Sequence, residues 1–223
     1  MDEERTDSFI RSLERGNTAF LNELEERARR ESIPVIRPAA QNLLRLFLEL
    51  KKPDNILEVG SAVGFSAVLM AEYSGESTHI TTIEKYEPRL KALHENIAAS
   101  GFSDRITVIE GDAAVILGEL KEQGRHYELI FMDAAKAQYI NFLPCVRDLL
   151  SNGGVLISDN VLQDGAILES RFAVERRDRT IHSRMREYLY ELTHSNDLVT
   201  SILPVADGIT VSVKRGKIIG KTG

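Results

Sequence analysis

The chain has no tryptophan and a single cysteine, Cys145, in 223 residues. One cysteine excludes an internal disulfide. With only scattered histidines beside it, it also excludes the paired Cys/His spacings of a structural zinc site. No run reaches the roughly 18 apolar residues that a membrane-crossing helix needs. The beginning, Met1-Asp2-Glu3-Glu4-Arg5, is acidic and no apolar stretch follows it, so a cytoplasmic location is expected. A net charge of −6 argues against a protein that coats nucleic acid nonspecifically, while leaving room for a local basic patch. Internal repeats, low-complexity segments and a G-x-G-x-x-G fingerprint are also missing. At 43% hydrophobic residues the chain can still bury a proper core.

What is present is an alternation of strands and helices. Near-continuous apolar segments predict strands at 55–59, 79–83, 106–110, 128–132 and 154–158, with helices starting near 63, 87, 113 and 137. Runs such as Leu129-Ile130-Phe131-Met132 predict a parallel sheet covered on both faces. Two helices, over 7–30 and Arg37–Leu50, precede the first strand. A basic helix is expected at about 174–194. Val199–Val205 and Ile209–Val213 flank Ala206-Asp207-Gly208, a hairpin signal that adds an antiparallel edge. A single domain over 1–223 follows, with 1–50 as a helical appendage and 51–215 as the core. The C-terminal Gly216-Lys217-Ile218-Ile219-Gly220-Lys221-Thr222 has three residues between its glycines where a phosphate loop has four. It reads as a solvated tail.

The stretch Asn55-Ile56-Leu57-Glu58-Val59-Gly60-Ser61-Ala62-Val63-Gly64-Phe65-Ser66 has the layout of a nucleotide-binding βαβ unit. Glu84 ends the next strand, about 20 residues on, where an acidic residue takes ribose hydroxyls. Glu58 is expected to project a carboxylate into the site. That disfavours a pyrophosphate and suits a ligand with a ribose, a base and a positive charge, such as S-adenosylmethionine.

Asp133 ends the fourth strand, and Asp159 with Asn160 ends the fifth. Strand carboxyl ends line the ligand crevice of an open α/β sheet. Three oxygen donors there suit a hard divalent cation such as Mg²⁺. Lys136 can reach the same space. Each carboxylate alone also reads as a helix cap, and Lys136 alone as a surface lysine at a helix start. A cation at a helix N-terminus opposes the dipole, and a nearby anion explains it better.

Together Glu58-Val59-Gly60-Ser61-Ala62-Val63-Gly64-Phe65-Ser66, Ile83-Glu84, Gly111-Asp112-Ala113, Asp133-Ala134-Ala135-Lys136, Asp159-Asn160-Val161-Leu162 and Pro204-Val205-Ala206-Asp207-Gly208 resemble the catechol and caffeoyl-CoA type of O-methyltransferase, from about residue 35 to 214. The resemblance implies a Rossmann-like class I methyltransferase fold: a mostly parallel seven-stranded sheet with an antiparallel edge, helices on both faces and two extra N-terminal helices. It implies that Glu58, Gly60, Ser66, Glu84, Asp112, Ala113 and Asp133 hold S-adenosylmethionine. Glu84 would sit at the ribose, Asp112 and Ala113 at the adenine, and Gly60 by the methionine moiety. Asp133, Asp159 and Asn160 would hold Mg²⁺, and Lys136 would be the catalytic base or an oxyanion stabiliser. Members of the family are commonly homodimers. Ala206 stands where the family usually has glycine. Gln163-Asp164-Gly165 stands where small-molecule members often carry an aromatic residue.

Within the family the chain is most similar to bacterial members that methylate 5-hydroxyuridine at the tRNA wobble position. Between Arg171 and Arg186 lie six arginines against Glu175 and Asp178. Arg176, Arg177 and Arg179 are candidate phosphate contacts of a tRNA anticodon. A solvated helix with local ion pairs, such as Glu175 with Arg179, is the plainer account. A small catechol or caffeoyl-CoA-like acceptor is the alternative substrate, and a noncatalytic nucleotide-binding module the alternative from another class.

Overall fold

The computed structural model describes residues 3–170 and 172–216. Seven strands form one sheet: β1 (Asn55–Val59), β2 (His79–Glu84), β3 (Ile106–Glu110), β4 (Tyr127–Met132), β5 (Leu150–Ser158), β6 (Leu198–Leu203) and β7 (Ile209–Lys214). Their order is β3-β2-β1-β4-β5-β7-β6. The first five are parallel, and β7 enters antiparallel between β5 and β6. This is the doubly wound arrangement expected, with its antiparallel edge.

Eight α-helices accompany the sheet among the described residues: α1 (Glu3–Leu13), α2 (Ala19–Arg30), α3 (Pro38–Lys51), α4 (Phe65–Glu72), α5 (Glu87–Ser100), α6 (Ala113–Glu122), α7 (Tyr139–Leu149) and α8 (Arg179–His194). Strand residues alternate between two cores, as the period of two requires. Ile56, Leu129, Phe131 and Ile157 pack with Leu21 and Leu24 of α2, Leu44 and Leu48 of α3, and most of α4. Leu57, Val59, Ile130, Met132 and Leu156 pack with apolar residues of α6, α7 and α8. The apolar faces of α2 and α3 thus enter the same core as the sheet.

Strand β5 starts at Leu150 rather than 154, and three helices also depart from the sequence expectation. The helix expected over 7–30 is two helices, so three precede β1. Gly16 turns the chain at φ +72, and the Thr18 hydroxyl caps α2 by accepting from the Leu21 N–H. Helix α4 starts at Phe65 rather than near 63, because Gly64 at φ +86 is its N-cap. The basic helix starts at Arg179 rather than 174. The preceding turns are closed by Asp178 N–H to Glu175 O, and the Arg179 side chain donates to Val174 O and Phe172 O. Arg171 and the glycine-rich tail from Lys217 lie outside the described residues.

Candidate active site

The strand order reverses direction between β1 and β4, and that switch point opens a crevice at the strands' carboxyl ends. The backbone there is close. Gly60 continues β1 by donating to Ile83 O, at φ +94, and a Cβ on it would stand 2.3 Å from Asp133 O. No other residue type fits. A cavity of about 540 Å³ occupies the crevice.

One end is built by the loops after β1, β2 and β3. Gly60, Ser66, Glu84, Asp112 and Ala113 all line it, as the sequence predicts. Glu84 is largely buried and accepts three backbone N–H groups: Ala62 at 2.8 Å on one oxygen, Lys85 at 2.9 Å and Tyr86 at 2.7 Å on the other. A carboxylate has roughly four lone-pair sites. Glu84 therefore offers a ribose about one further acceptance rather than a free two-oxygen face. Asp112 caps α6 by accepting from Ala114 N–H at 2.9 Å and pairs with Lys85 at 3.2 Å. The Ala114 bond, then Lys85, holds its carboxyl below the usual range. Tyr86 and Arg89, whose guanidinium lies over the Tyr86 ring, also line this end and carried no sequence signal.

Glu58 corrects the sequence reading, because it does not line the cavity. Strand alternation turns its side chain onto a covered sheet face, where it pairs in register with Thr82 and accepts from the Thr82 hydroxyl. Burial pushes its carboxyl up to about 7, against the lowering effect of the Ser66 and Thr82 hydroxyls. Glu58 is fully buried and stands outside the cavity lining.

The other end gathers Asp133, Lys136, Asp159 and Asn160, all lining the same cavity. Lys136 Nζ donates to Asp133 Oδ1 at 2.6 Å and to the Tyr139 hydroxyl at 3.1 Å. Tyr139 is fully buried, and its hydroxyl also lies 3.0 Å from Met132 O and 3.1 Å from Asp159 O, across the ends of β4 and β5. Sequence reasoning missed this residue, whose aromatic ring reads as core. Burial, then the neighbouring Asp133, pushes the Asp159 carboxyl up to about 6. Two carboxylates thus share this end with Lys136 as the ammonium beside them. An excess of negative charge with oxygen-only donors fits a hard divalent cation held by Asp133, Asp159 and the Asn160 amide oxygen. Among the described residues no three His, Cys, Asp or Glu side chains cluster as a metal site, so the amide is needed to complete the set.

A roof closes this end. Pro34 to Arg37 line the cavity from the segment before α3, and Arg37 pairs with Asp207 of the β6–β7 turn at 2.7 Å. That turn is tied to the segment after Asn160, since Val161 and Leu162 N–H donate to Gly208 and Asp207 carbonyls. Ala62, Asn160 and Ala206 hold positive φ of 47°, 65° and 53°, and all three line the cavity. Strain of this kind gathers at functional sites. At Ala206 the backbone takes a conformation that glycine adopts without that strain.

The arginines around the start of α8 divide. Arg176 is exposed. Arg177 pairs with Glu175 at 3.0 Å and approaches Asp178 at 3.5 Å, so the expected Glu175–Arg179 pair is replaced by one with Arg177. The Arg179 guanidinium is turned inward onto backbone carbonyls. Among the three, Arg176 presents its charge most openly.

Known proteins share this architecture. The family profile described as O-methyltransferase matches residues 11–215. A catechol O-methyltransferase from Niastella koreensis is 31% identical over 136 residues, which cover 60% of this chain and 61% of that protein. The aligned part is thus about three fifths of that relative's length. A crystal structure from Staphylococcus aureus, provisionally named a caffeoyl-CoA O-methyltransferase, superposes with a TM-score of 0.86 at 28% identity, covering 94% of this chain and 99% of that one. A Bacillus cereus O-methyltransferase in complex with SAH has the same fold, with a TM-score of 0.83 at 20% identity over 95% of this chain and 97% of that one.

Proposed function

The chain belongs to the O-methyltransferase family, and from that premise we propose that it transfers a methyl group from S-adenosylmethionine, with a divalent cation, to 5-hydroxyuridine at the wobble position of tRNA. The observation that carries the chemistry is the single cavity. Glu84 and Asp112 stand at one end and Asp133, Lys136, Asp159 and Asn160 at the other.

Glu84 accepts from the ribose, while its three backbone bonds fix the loops that surround the ligand. Gly60 lets the backbone approach the methionine moiety. Bound S-adenosylmethionine supplies a sulfonium methyl as the one-carbon donor. A hard cation on Asp133, Asp159 and Asn160 would supply positive charge for two adjacent acceptor oxygens. Such a pair exists in a catechol and, as hydroxyl and neighbouring carbonyl, in 5-hydroxyuridine. Phenol-like hydroxyls ionise near pH 10, so an oxyanion needs stabilisation at neutral pH. Lys136, an ammonium 2.6 Å from Asp133, is the cation this chain places beside it. Holding both reactants in one crevice removes the entropy of their encounter.

The RNA acceptor is supported by the arginine-rich segment between the metal-binding candidates and α8 and by the exposed charge of Arg176. A second reading, a small catechol-like acceptor, is supported by the names of the relatives and by the apolar roof of Pro34, Val35 and Ile36. Labelled-methyl transfer to tRNA lacking wobble methylation, run beside a catechol panel, separates the two. Incorporation into the tRNA with poor catechol turnover is expected. Efficient catechol turnover with no label in hydroxyuridine-containing tRNA would overturn the RNA acceptor.

A further inference from the structure

No large apolar side chain among the described residues is more exposed than Phe172, at 85%. Its setting is not a loose loop. Ala173 N–H donates to Ser170 O at 2.9 Å, and the Arg179 guanidinium bonds Val174 O at 3.2 Å and Phe172 O at 3.4 Å. Arg186 pins Ile167 O at 3.0 Å, and His182 Nε2 meets Glu169 O at 3.0 Å. The backbone is held from below while the ring faces solvent, where burying it would be favourable.

The segment is tied, through α8, to the flank of the site. Arg184 of α8 donates to Ala137 O at 3.2 Å, one residue beyond Lys136. Arg179 lies five residues earlier on the same helix, about 7.5 Å along its axis, and holds the Phe172 segment. Residues 172 to 186 carry five arginines against two carboxylates in a chain of net charge −6. An exposed aromatic ring on an anchored backbone, in an arginine-rich segment, is a means by which proteins hold unpaired bases.

We propose that Phe172 is a stacking platform for an unpaired anticodon-loop base other than the one methylated, with Arg176 at the adjoining phosphates. The proposal rests on the RNA acceptor proposed above.

The chain has no tryptophan, so Phe172→Trp introduces its sole indole. Titration with an anticodon stem-loop oligonucleotide carrying 5-hydroxyuridine should quench that fluorescence to saturation. Phe172→Ala should bind the stem-loop on the order of tenfold more weakly. Phe172→Tyr should restore binding and Phe172→Leu should not, while S-adenosylmethionine affinity stays unchanged in all of them. If Phe172→Ala binds and methylates the stem-loop as the parent chain does, the platform is wrong and the RNA acceptor stands. If the parent chain neither binds nor methylates the stem-loop, the RNA acceptor itself fails and the platform with it. An indole that ignores RNA but shifts to the blue on phosphatidylserine vesicles would also overturn the proposal, in favour of a membrane contact.

Discussion

Tyr139 shows how much one buried hydroxyl can organise. It meets the Lys136 ammonium and the carbonyls of Met132 and Asp159, so it relates the ends of β4 and β5 to the proposed catalytic cation. Tyr139→Phe keeps the ring and its edge-to-face contact with Tyr188. Hydrogen bonds to charged groups contribute about 1.5–3 kcal/mol, so turnover should fall at least roughly tenfold with cofactor affinity unchanged. In a Lys136→Ala background the same change should cost little more, because the two act as a unit. Full turnover in Tyr139→Phe, or losses that simply add, would remove Tyr139 from the catalytic arrangement. Glu58 makes a different prediction. Its folded-state pKa is raised from 4.5 to about 7 by burial. Its contribution to stability is therefore present below pH 4.5 and lost as pH rises through about 7. The loss is on the order of 3 kcal/mol. Glu58→Gln should flatten denaturation midpoints over that window. An unchanged pH profile would show that the carboxyl does not titrate there.

At the scale of elements, the acceptor end is closed by three segments that are far apart in sequence. The stretch before α3, the loop after β5 and the β6–β7 turn meet through Arg37–Asp207 and through backbone bonds to Asp207 and Gly208. Arg37 is half exposed, so the pair adds less than about 1 kcal/mol to folding. Its effect should be on the roof. Arg37→Ala should raise KM for the acceptor several-fold, keep cofactor affinity within about twofold, and leave the denaturation midpoint nearly unchanged. An acceptor KM equal to that of the parent chain would mean that the roof closes without it. Little of this closure was legible beforehand, since Ala206-Asp207-Gly208 reads as a turn and nothing marks its distant partner. The positive φ at Ala62 was equally silent, because alanine is not a residue that signals a left-handed backbone. Gly16 could have been read as a break. Strong helical periodicity on both sides hid it.

For the whole molecule, the sheet was largely legible. Apolar strands alternating with helices leave few topologies, and a parallel sheet puts its strand ends in one crevice. That logic brought Gly60, Ser66, Glu84, Asp112, Ala113, Asp133, Lys136, Asp159 and Asn160 to one cavity. It failed for Glu58, where position along a strand decides the face and not the depth. It also left Glu84 with more acceptor capacity than its three backbone bonds allow. The central claim is that this crevice joins a methyl donor, a hard cation and a wobble hydroxyl. Nucleoside mass spectrometry of tRNA lacking wobble methylation tests it directly, after incubation with the protein and S-adenosylmethionine in Mg²⁺ or in EDTA. Conversion of 5-hydroxyuridine to 5-methoxyuridine in Mg²⁺, lost in EDTA and regained when Mg²⁺ is returned, is the predicted result. Persistent 5-hydroxyuridine under every condition, or equal conversion in EDTA, would contradict it.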